Sequence, residues 1–448
     1  MAEQFDVIVL GMGPGGEVAA SRLLAAGKSV AVVERELIGG ECAYWACIPS
    51  KTLLRPPEAR AEAERAAGVA RPDLAWPETR DYRDYMIRNL DDSGQIKGYE
   101  EQGATVLKGT GRLAGAGVVE VNGRQYHADH VVIATGSDTA VPPIEGLADV
   151  GAWTNREATT LKEIPDRVVM VGGSAVGAEL GQFLRRFGAQ VTIVQSADRL
   201  LNREDPRVSE LTQGYLEADG IDVRVGRRVK RARKEAGVTV LELDDGTILT
   251  TDVVVLGTGR RPRIHGIGLE TVGVEPDEQG LTIDGRCSVT EGVWALGDVT
   301  GVMAFTHVAM YQGRIVADNI CGRSRTADYT GIPRVVFADP EIAAVGLHAC
   351  QARQRGLDVA AAEVSLPDAI ARPWTYEKDP RGNLGLVADR KTGLLIGAWA
   401  VAPQASEWIH QAAQAIRAHI PISTLLDGVA QFPTYSEGYL KALERLDL

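Results

Sequence analysis

Short apolar runs that break into glycine recur along this chain and set its first expectations. Residues 6–10 are rich in Val and Ile and stop at Gly11-Met12-Gly13-Pro14-Gly15-Gly16. A helical stretch is predicted over residues 17–26, and a second strand over residues 29–33 closes on Glu34. The pattern returns later: a strand over 167–171, the loop Gly172-Gly173-Ser174-Ala175-Val176-Gly177, a helix to Phe187, and a strand over 190–194 that ends at Gln195. Residues 131–137 and 253–262 are two further apolar strands breaking into glycine, and residues 294–298 end in Gly297-Asp298. From Pro333 the rhythm changes to strands over 334–338, 343–347, 384–389 and 394–401, with helices over 407–418 and 438–446.

Strand, Gly-x-Gly-x-x-Gly, helix, strand and terminal acid, in that order, make up a dinucleotide-binding βαβ unit. Gly11 permits the tight turn, Gly13 lets the backbone approach a pyrophosphate at the helix N-terminus, and Gly16 lets helix and strand pack closely. Glu34 is placed to accept hydrogen bonds from a ribose, and Asp298 puts a carboxylate at a strand end facing a bound nucleotide. In the second copy Ser174 replaces the middle glycine, and Gln195 stands where an acid would select NAD. An amide does not repel a 2′-phosphate, and Arg199 and Arg203 follow closely. The lean is towards NADPH; NADH stays open, because both arginines also fit as solvated surface charges.

These patterns predict an α/β chain with two Rossmann-like domains and a C-terminal α+β domain. The expected divisions are residues 1–150, 151–262, 263–328 (returning to the first domain) and 329–448. At 448 residues the chain is too long for one compact core. Its net charge of −12 leaves no basic surplus to neutralise phosphates, which argues against nucleic acid or an anionic membrane as the main partner. No apolar stretch is long enough to span a bilayer, and the N-terminal residues lack the basic region of a signal peptide. A cytoplasmic location is expected.

Cys42 and Cys47 lie five positions apart in the segment Gly39-Gly40-Glu41-Cys42-Ala43-Tyr44-Trp45-Ala46-Cys47-Ile48-Pro49-Ser50-Lys51. On a regular helix they would be separated by roughly 7.5 Å of rise, beyond the Cα spacing of about 7 Å that a disulfide tolerates. A bridge therefore needs a bent chain, for which Gly39 and Gly40 give local freedom. Spacing alone leaves two buried thiols equally open; the neighbouring nucleotide fold favours a redox-active pair. Tyr44 and Trp45 fit either an apolar substrate approach or internal packing. Cys287, Cys321 and Cys350 show no metal-ligand spacing and are expected to be core or surface thiols, with no metal site.

Taken together, these motifs resemble the class I pyridine nucleotide-disulfide oxidoreductases, which include dihydrolipoamide dehydrogenase, glutathione reductase and mercuric reductase. The resemblance covers essentially the whole chain in motif order. It implies that Gly11, Gly13, Gly16, Glu34, Gly136, Gly297 and Asp298 hold FAD. It likewise implies that Gly172, Gly177 and Glu179 belong to the nicotinamide nucleotide site, to which the position of Gln195 at the strand end and of Arg199 after it adds these two residues. In the family the first cysteine of the pair exchanges with substrate and the second touches the flavin, roles that fall here on Cys42 and Cys47. Lys51 is similar to a lysine that pairs with the glutamate matched by Glu179 and tunes the flavin. The resemblance also implies a homodimer whose C-terminal domains complete each other's active sites.

One departure matters. Disulfide reductases of this family carry His-Pro-Thr and then Glu near the C-terminus, the histidine serving as the acid/base for the thiols. Here the segment reads Gln431-Phe432-Pro433-Thr434-Tyr435-Ser436-Glu437, with the orienting acid matched by Glu437 and phenylalanine in the histidine's place. Mercuric reductase resembles this segment with Phe-Pro-Tyr, yet it ends in a cysteine pair, whereas this chain ends Glu444-Arg445-Leu446-Asp447-Leu448. The expected activity is FAD-dependent electron transfer from NADPH or NADH, through Cys42–Cys47, to or from a small sulfur substrate. The alternatives are a mercuric reductase-like or quinone-type acceptor reductase and, from a different class, a non-catalytic flavoprotein redox sensor.

Overall fold

The computed structural model describes residues 3–448. They fall into two compact units: the chain up to Pro49 with Asp81–Ala140 and Gly259–Asp328, and Ser50–Arg80 with Val141–Thr258 and Tyr329–Leu448.

In the first unit an eight-stranded sheet has the order Ser288–Thr290, Val293–Ala295, Arg124–Ile133, Glu3–Leu10, Val30–Glu34, Thr105–Lys108. The pairings from Val293–Ala295 to Thr105–Lys108 are parallel. The hairpin Gly111–Gly115 and Val118–Val121 joins the antiparallel side of Arg124–Ile133. The unbroken apolar runs follow from burial on both faces. Val7, Val9, Val30 and Val32 pack with Leu23, Ile315 and Val316, while Ile8, Leu10, Ala31 and Val33 face Leu113, Val119 and Tyr126. The helices Pro14–Ala25 and Thr306–Ile320 cross closely, since a Cβ on Gly313 would lie 2.6 Å from the Gly15 carbonyl oxygen.

The second unit repeats the parallel arrangement with four strands, Asp222–Val225, Gln190–Gln195, Arg167–Val171 and Val253–Leu256. Again alternate residues serve opposite faces: Val168, Met170 and Ile193 join one core, Val169, Val171 and Val194 another. Sequence periodicity missed a three-stranded antiparallel sheet, Val229–Glu235, Val238–Leu243 and Ile248–Thr251. Its first strand is charged and largely exposed and its last is only four residues long, so the buried central strand Val238–Leu243 stood alone without an apolar neighbour to mark a sheet. The C-terminal part is a five-stranded antiparallel sheet, Pro333–Val336, Glu341–Gly346, Leu394–Ala402, Asn383–Asp389 and Val359–Ser365. The last of these strands was also not anticipated.

The first nucleotide helix starts at Pro14, three residues earlier than expected, because Gly13 caps it and proline at the first position is already held at helical φ. The helix expected over 407–418 is two, Ala405–Trp408 and His410–Arg417. Among the described residues no helix is long and apolar enough to cross a membrane.

Candidate active site

The first glycine loop is packed from behind and open in front. A Cβ on Gly11 would collide with the Ala134 carbonyl, one on Gly15 would lie 2.5 Å from Leu296 Cδ1, and one on Gly16 would collide with the Gly11 carbonyl. Gly13, by contrast, faces open space. The Glu34 carboxylate is buried at the strand end and accepts the Met12 N–H at 2.9 Å and the Glu36 N–H at 2.7 Å. Across the sheet, Asp298 is the second residue of a short helical turn, Gly297–Thr300, and accepts the Ser137 hydroxyl at 2.6 Å. Gly136 is in the left-handed region at φ 73°, beside Arg263. Gly297 donates its N–H to Gln312 Oε1 at 2.7 Å.

The cysteine segment is seated directly on this loop. Gly39 and Gly40 have φ of 118° and 60°, so the freedom argued from sequence is used. The Gly39 N–H donates to the Met12 carbonyl at 2.7 Å. A Cβ on Gly40 would come within 2.9 Å of Gly13 Cα, so glycine is needed for the two backbones to meet. Cys42 lies in the short helix Gly40–Tyr44, which stops at Trp45, and Cys47 begins the helix Cys47–Arg65. The chain is thus broken between the two thiols, both of which are half-buried. Tyr44 is fully buried with its hydroxyl on the Ile38 carbonyl at 3.2 Å, so this ring is a packing element; Trp45 beside it is only partly covered. Cys47 Sγ lies 3.2 Å from the Thr306 hydroxyl, a partner that no local motif announces. Arg263, between Glu41 at 3.5 Å and Asp138, ties the start of the cysteine helix to the glycine end of the sheet.

In the second unit Lys51 Nζ donates to Glu179 Oε2 at 2.7 Å. Glu179 is 7% exposed and Lys51 37%. The other Glu179 oxygen accepts the Phe337 N–H at 2.9 Å, and Lys51 Nζ stands 4.7 Å from the Phe337 ring centroid. Phe337 therefore touches both members of the pair, which the sequence did not indicate. The second glycine loop repeats the first: a Cβ on Gly172 would collide with the Gly257 carbonyl, and one on Gly177 with the Gly172 carbonyl. Ser174 turns its hydroxyl onto Gly257 at 2.8 Å. Gln195 Oε1 accepts the Gly173 N–H at 3.0 Å, while Arg199 folds back to donate to the Asn202 carbonyl at 2.9 Å.

The C-terminal turn holds Phe432 at 76% exposure, after which Tyr435 and Tyr439 are buried. Glu437 opens the helix Glu437–Leu443 and accepts the Thr434 N–H at 3.1 Å. Tyr435 does not stand in for an acid at the turn. Its ring stacks on Trp408 at 6.0 Å, its hydroxyl has no partner among the described residues, and burial together with the Glu377 carboxylate pushes its phenol up.

The family model for pyridine nucleotide-disulphide oxidoreductases matches residues 5–313, and that for their dimerisation domain matches residues 332–443. The chain belongs to this family. It is 35% identical to a dihydrolipoyl dehydrogenase of Thermus scotoductus over 99% of this chain and 97% of that protein. It is 32% identical to a mercuric reductase of Staphylococcus aureus, over 97% of this chain and 81% of that one. Among solved structures, the HOCl-induced flavoprotein disulfide reductase RclA from Escherichia coli superposes with a TM-score of 0.88 at 26% identity, covering 98% and 99% of the two chains. As a pyridine nucleotide-disulphide oxidoreductase, the protein is a flavin-dependent enzyme working with NAD(P)H, built on Rossmann-type sheets with a C-terminal dimerisation domain. FAD fits the first loop on structural grounds. Gly13 caps the helix Pro14–Ala25 and is open where a phosphate would approach, while the glycines behind it are filled by protein.

Proposed function

We propose that the enzyme passes two electrons from NAD(P)H through Cys42 and Cys47 to a small sulfur acceptor. The observation that carries this is the seating of the cysteine segment on the first glycine loop, Gly40 against Gly13 and Gly39 on Met12. When bound, FAD supplies the two-electron relay between nicotinamide and the thiol pair. Gly11, Gly13, Gly16, Glu34, Gly136, Gly297 and Asp298 would hold it; Gly172, Gly177, Gln195 and Arg199 would border the nicotinamide nucleotide.

Reduction of the Cys42–Cys47 bridge takes two electrons and yields a thiol pair. The Cys42 thiolate attacks one sulfur of a disulfide acceptor, forming a mixed disulfide and expelling the first thiolate. Cys47 then attacks Cys42, restores the bridge and expels the second. The Thr306 hydroxyl is placed to donate to a Cys47 thiolate, and a charge-assisted hydrogen bond of this kind favours the anion. Lys51, held by Glu179, is the cation of the site. Each expelled thiolate needs a proton. We assign the family's histidine position to Phe432, with Glu437 behind it on the partner subunit's contribution to a homodimeric site, so that the acceptor or water supplies the proton.

The same residue favours a second reading, in which the acceptor is a metal ion or quinone whose reduction needs no protein acid. On the nucleotide, Arg199 gives one of its donors to a backbone carbonyl and keeps the others, and together with Arg203 it supports the lean towards NADPH. Residues 1–150 with 263–328, 151–262 and 329–448 are the proposed domains, and a cytoplasmic setting suits a reducible disulfide.

Anaerobic titration of the holoenzyme with NADPH and with NADH tests this directly. Uptake of two reducing equivalents by the flavin and two more by the disulfide is expected, followed by reoxidation with disulfides, Hg(II), Cu(II) or quinones. A disulfide that stays oxidised under excess nucleotide would leave the redox-sensor alternative standing.

A further inference from the structure

Asp339 is the centre of a buried ionic cluster that the proposed chemistry does not use. Arg65 grips its carboxylate with both terminal nitrogens at 3.0 Å, Arg381 Nη2 reaches Oδ1 at 2.9 Å and Arg186 Nη2 reaches Oδ2 at 2.9 Å. Glu377, also buried, pairs with Arg65 and Arg381. Burial alone would push the Asp339 carboxyl up, but Arg381, Arg186 and Arg65 together hold it well below the usual carboxylate range.

This cluster and the Lys51–Glu179 pair are two ends of one short segment. The Phe337 N–H donates to Glu179, and two residues on the Asp339 N–H donates to Gln182 Oε1 at 2.8 Å while Gln182 Nε2 returns a bond to the Asp339 carbonyl at 3.0 Å. Glu179, Gln182 and Arg186 are spaced i, i+3, i+7 on the helix Ala175–Arg186, so all three lie along one face. Arg65 closes the helix Cys47–Arg65, on which Lys51 stands in the second turn. One backbone strut, residues 337–339 at the start of the dimerisation domain, is thereby pinned at three points on one helix and at the far end of the other.

We propose that Asp339 is a positioning residue: by anchoring this strut it sets where Phe337 holds the Glu179 carboxylate, and through it the Lys51 ammonium. This rests on the proposed role of Lys51 as the cation of the flavin site. Loss of the Asp339 charge leaves Arg65 and Arg381 sharing Glu377 and leaves Arg186 to Asp219, three guanidiniums against two carboxylates with the central acceptor gone, so the strut shifts to separate them. A misplaced Lys51 would be felt at the redox site and not at acceptor binding.

The test compares Asp339→Asn, Lys51→Met and wild-type holoenzyme by anaerobic stopped-flow reduction with NAD(P)H, flavin midpoint potential, and the long-wavelength thiolate–flavin absorbance of the reduced enzyme. Lys51→Met should slow flavin reduction and lower the potential. Asp339→Asn should move the same observables in the same direction, slowing reduction by roughly 10- to 100-fold, the range expected when a charge is misplaced by up to an ångström, with the acceptor KM unchanged. Should Asp339→Asn not fold, Gln182→Met, which removes both bonds to the Asp339 backbone together with one to Asp219, decides with the same readouts and a smaller effect. Wild-type reduction rate and potential in the Asp339 or Gln182 variant, while Lys51→Met is impaired, would overturn the positioning role alone. No effect in Lys51→Met would overturn the assignment of Lys51 and this inference with it.

Discussion

Cys47 and Thr306 are 259 positions apart in sequence and 3.2 Å apart at their side-chain ends. Hydrogen bonds to a charged group contribute about 1.5–3 kcal/mol, which corresponds to roughly one to two pH units in the ionisation they favour. Thr306→Val removes the hydroxyl and keeps the shape. The pH midpoint at which the long-wavelength absorbance of the reduced enzyme develops is expected to rise by about one unit. An unmoved midpoint would show that the hydroxyl points elsewhere in the working enzyme.

Glu179→Gln keeps the acceptor for the Phe337 N–H but deprives Lys51 of its counter-charge. Turnover is expected to fall on the order of 10²-fold, the scale of losing one electrostatic contributor at a reacting centre, with FAD content unchanged by absorbance. Glu179→Ala, which also releases the Phe337 N–H, should fall further and lose thermal stability.

Phe432→His supplies the group that the proposed assignment of this position calls for. A general acid contributes typically 10²- to 10⁴-fold, so turnover with a disulfide acceptor should rise by at least about tenfold and acquire a pH limb near 6.5, the ordinary histidine value. Turnover with Hg(II) or a quinone should stay level. An equal response of both acceptor classes would remove proton supply as the explanation for this residue.

Asp339 makes a distinct prediction for stability against pH. Its folded carboxyl is held below the unfolded value of about 3.9, so its stabilisation is complete above that pH and is lost as the pH falls through the depressed folded value. Asp339→Asn should cost about 3 kcal/mol near pH 7, the scale of breaking a buried ion pair. That deficit should shrink as urea midpoints are followed down from about pH 4.

The glycine loops were legible because their spacing is itself the motif, and behind it stand close backbone approaches, Gly11 against Ala134 and Gly172 against Gly257, with Gly13 left open in front. The unbroken Val and Ile runs revealed the parallel strands for a similar reason, since burial on both faces leaves its mark residue by residue. Thr306, Phe337 and Asp339 left no such trace. Threonine opening a helix, or aspartate before proline, is ordinary in sequence. Each gains its role from a partner brought across 259, 158 or 274 positions by the fold. The strand Val229–Glu235 was hidden too, because a strand with a charged, solvated face shares its composition with loops.

The contact of Gly40 with Gly13 has a consequence for handling the protein. The loop that would cradle the pyrophosphate is also the floor on which the thiol segment rests, so cofactor loss is expected to loosen the segment that carries Cys42. Reaction of the cysteines with a mild alkylating reagent would then serve as a gauge of how much of a preparation still holds its flavin.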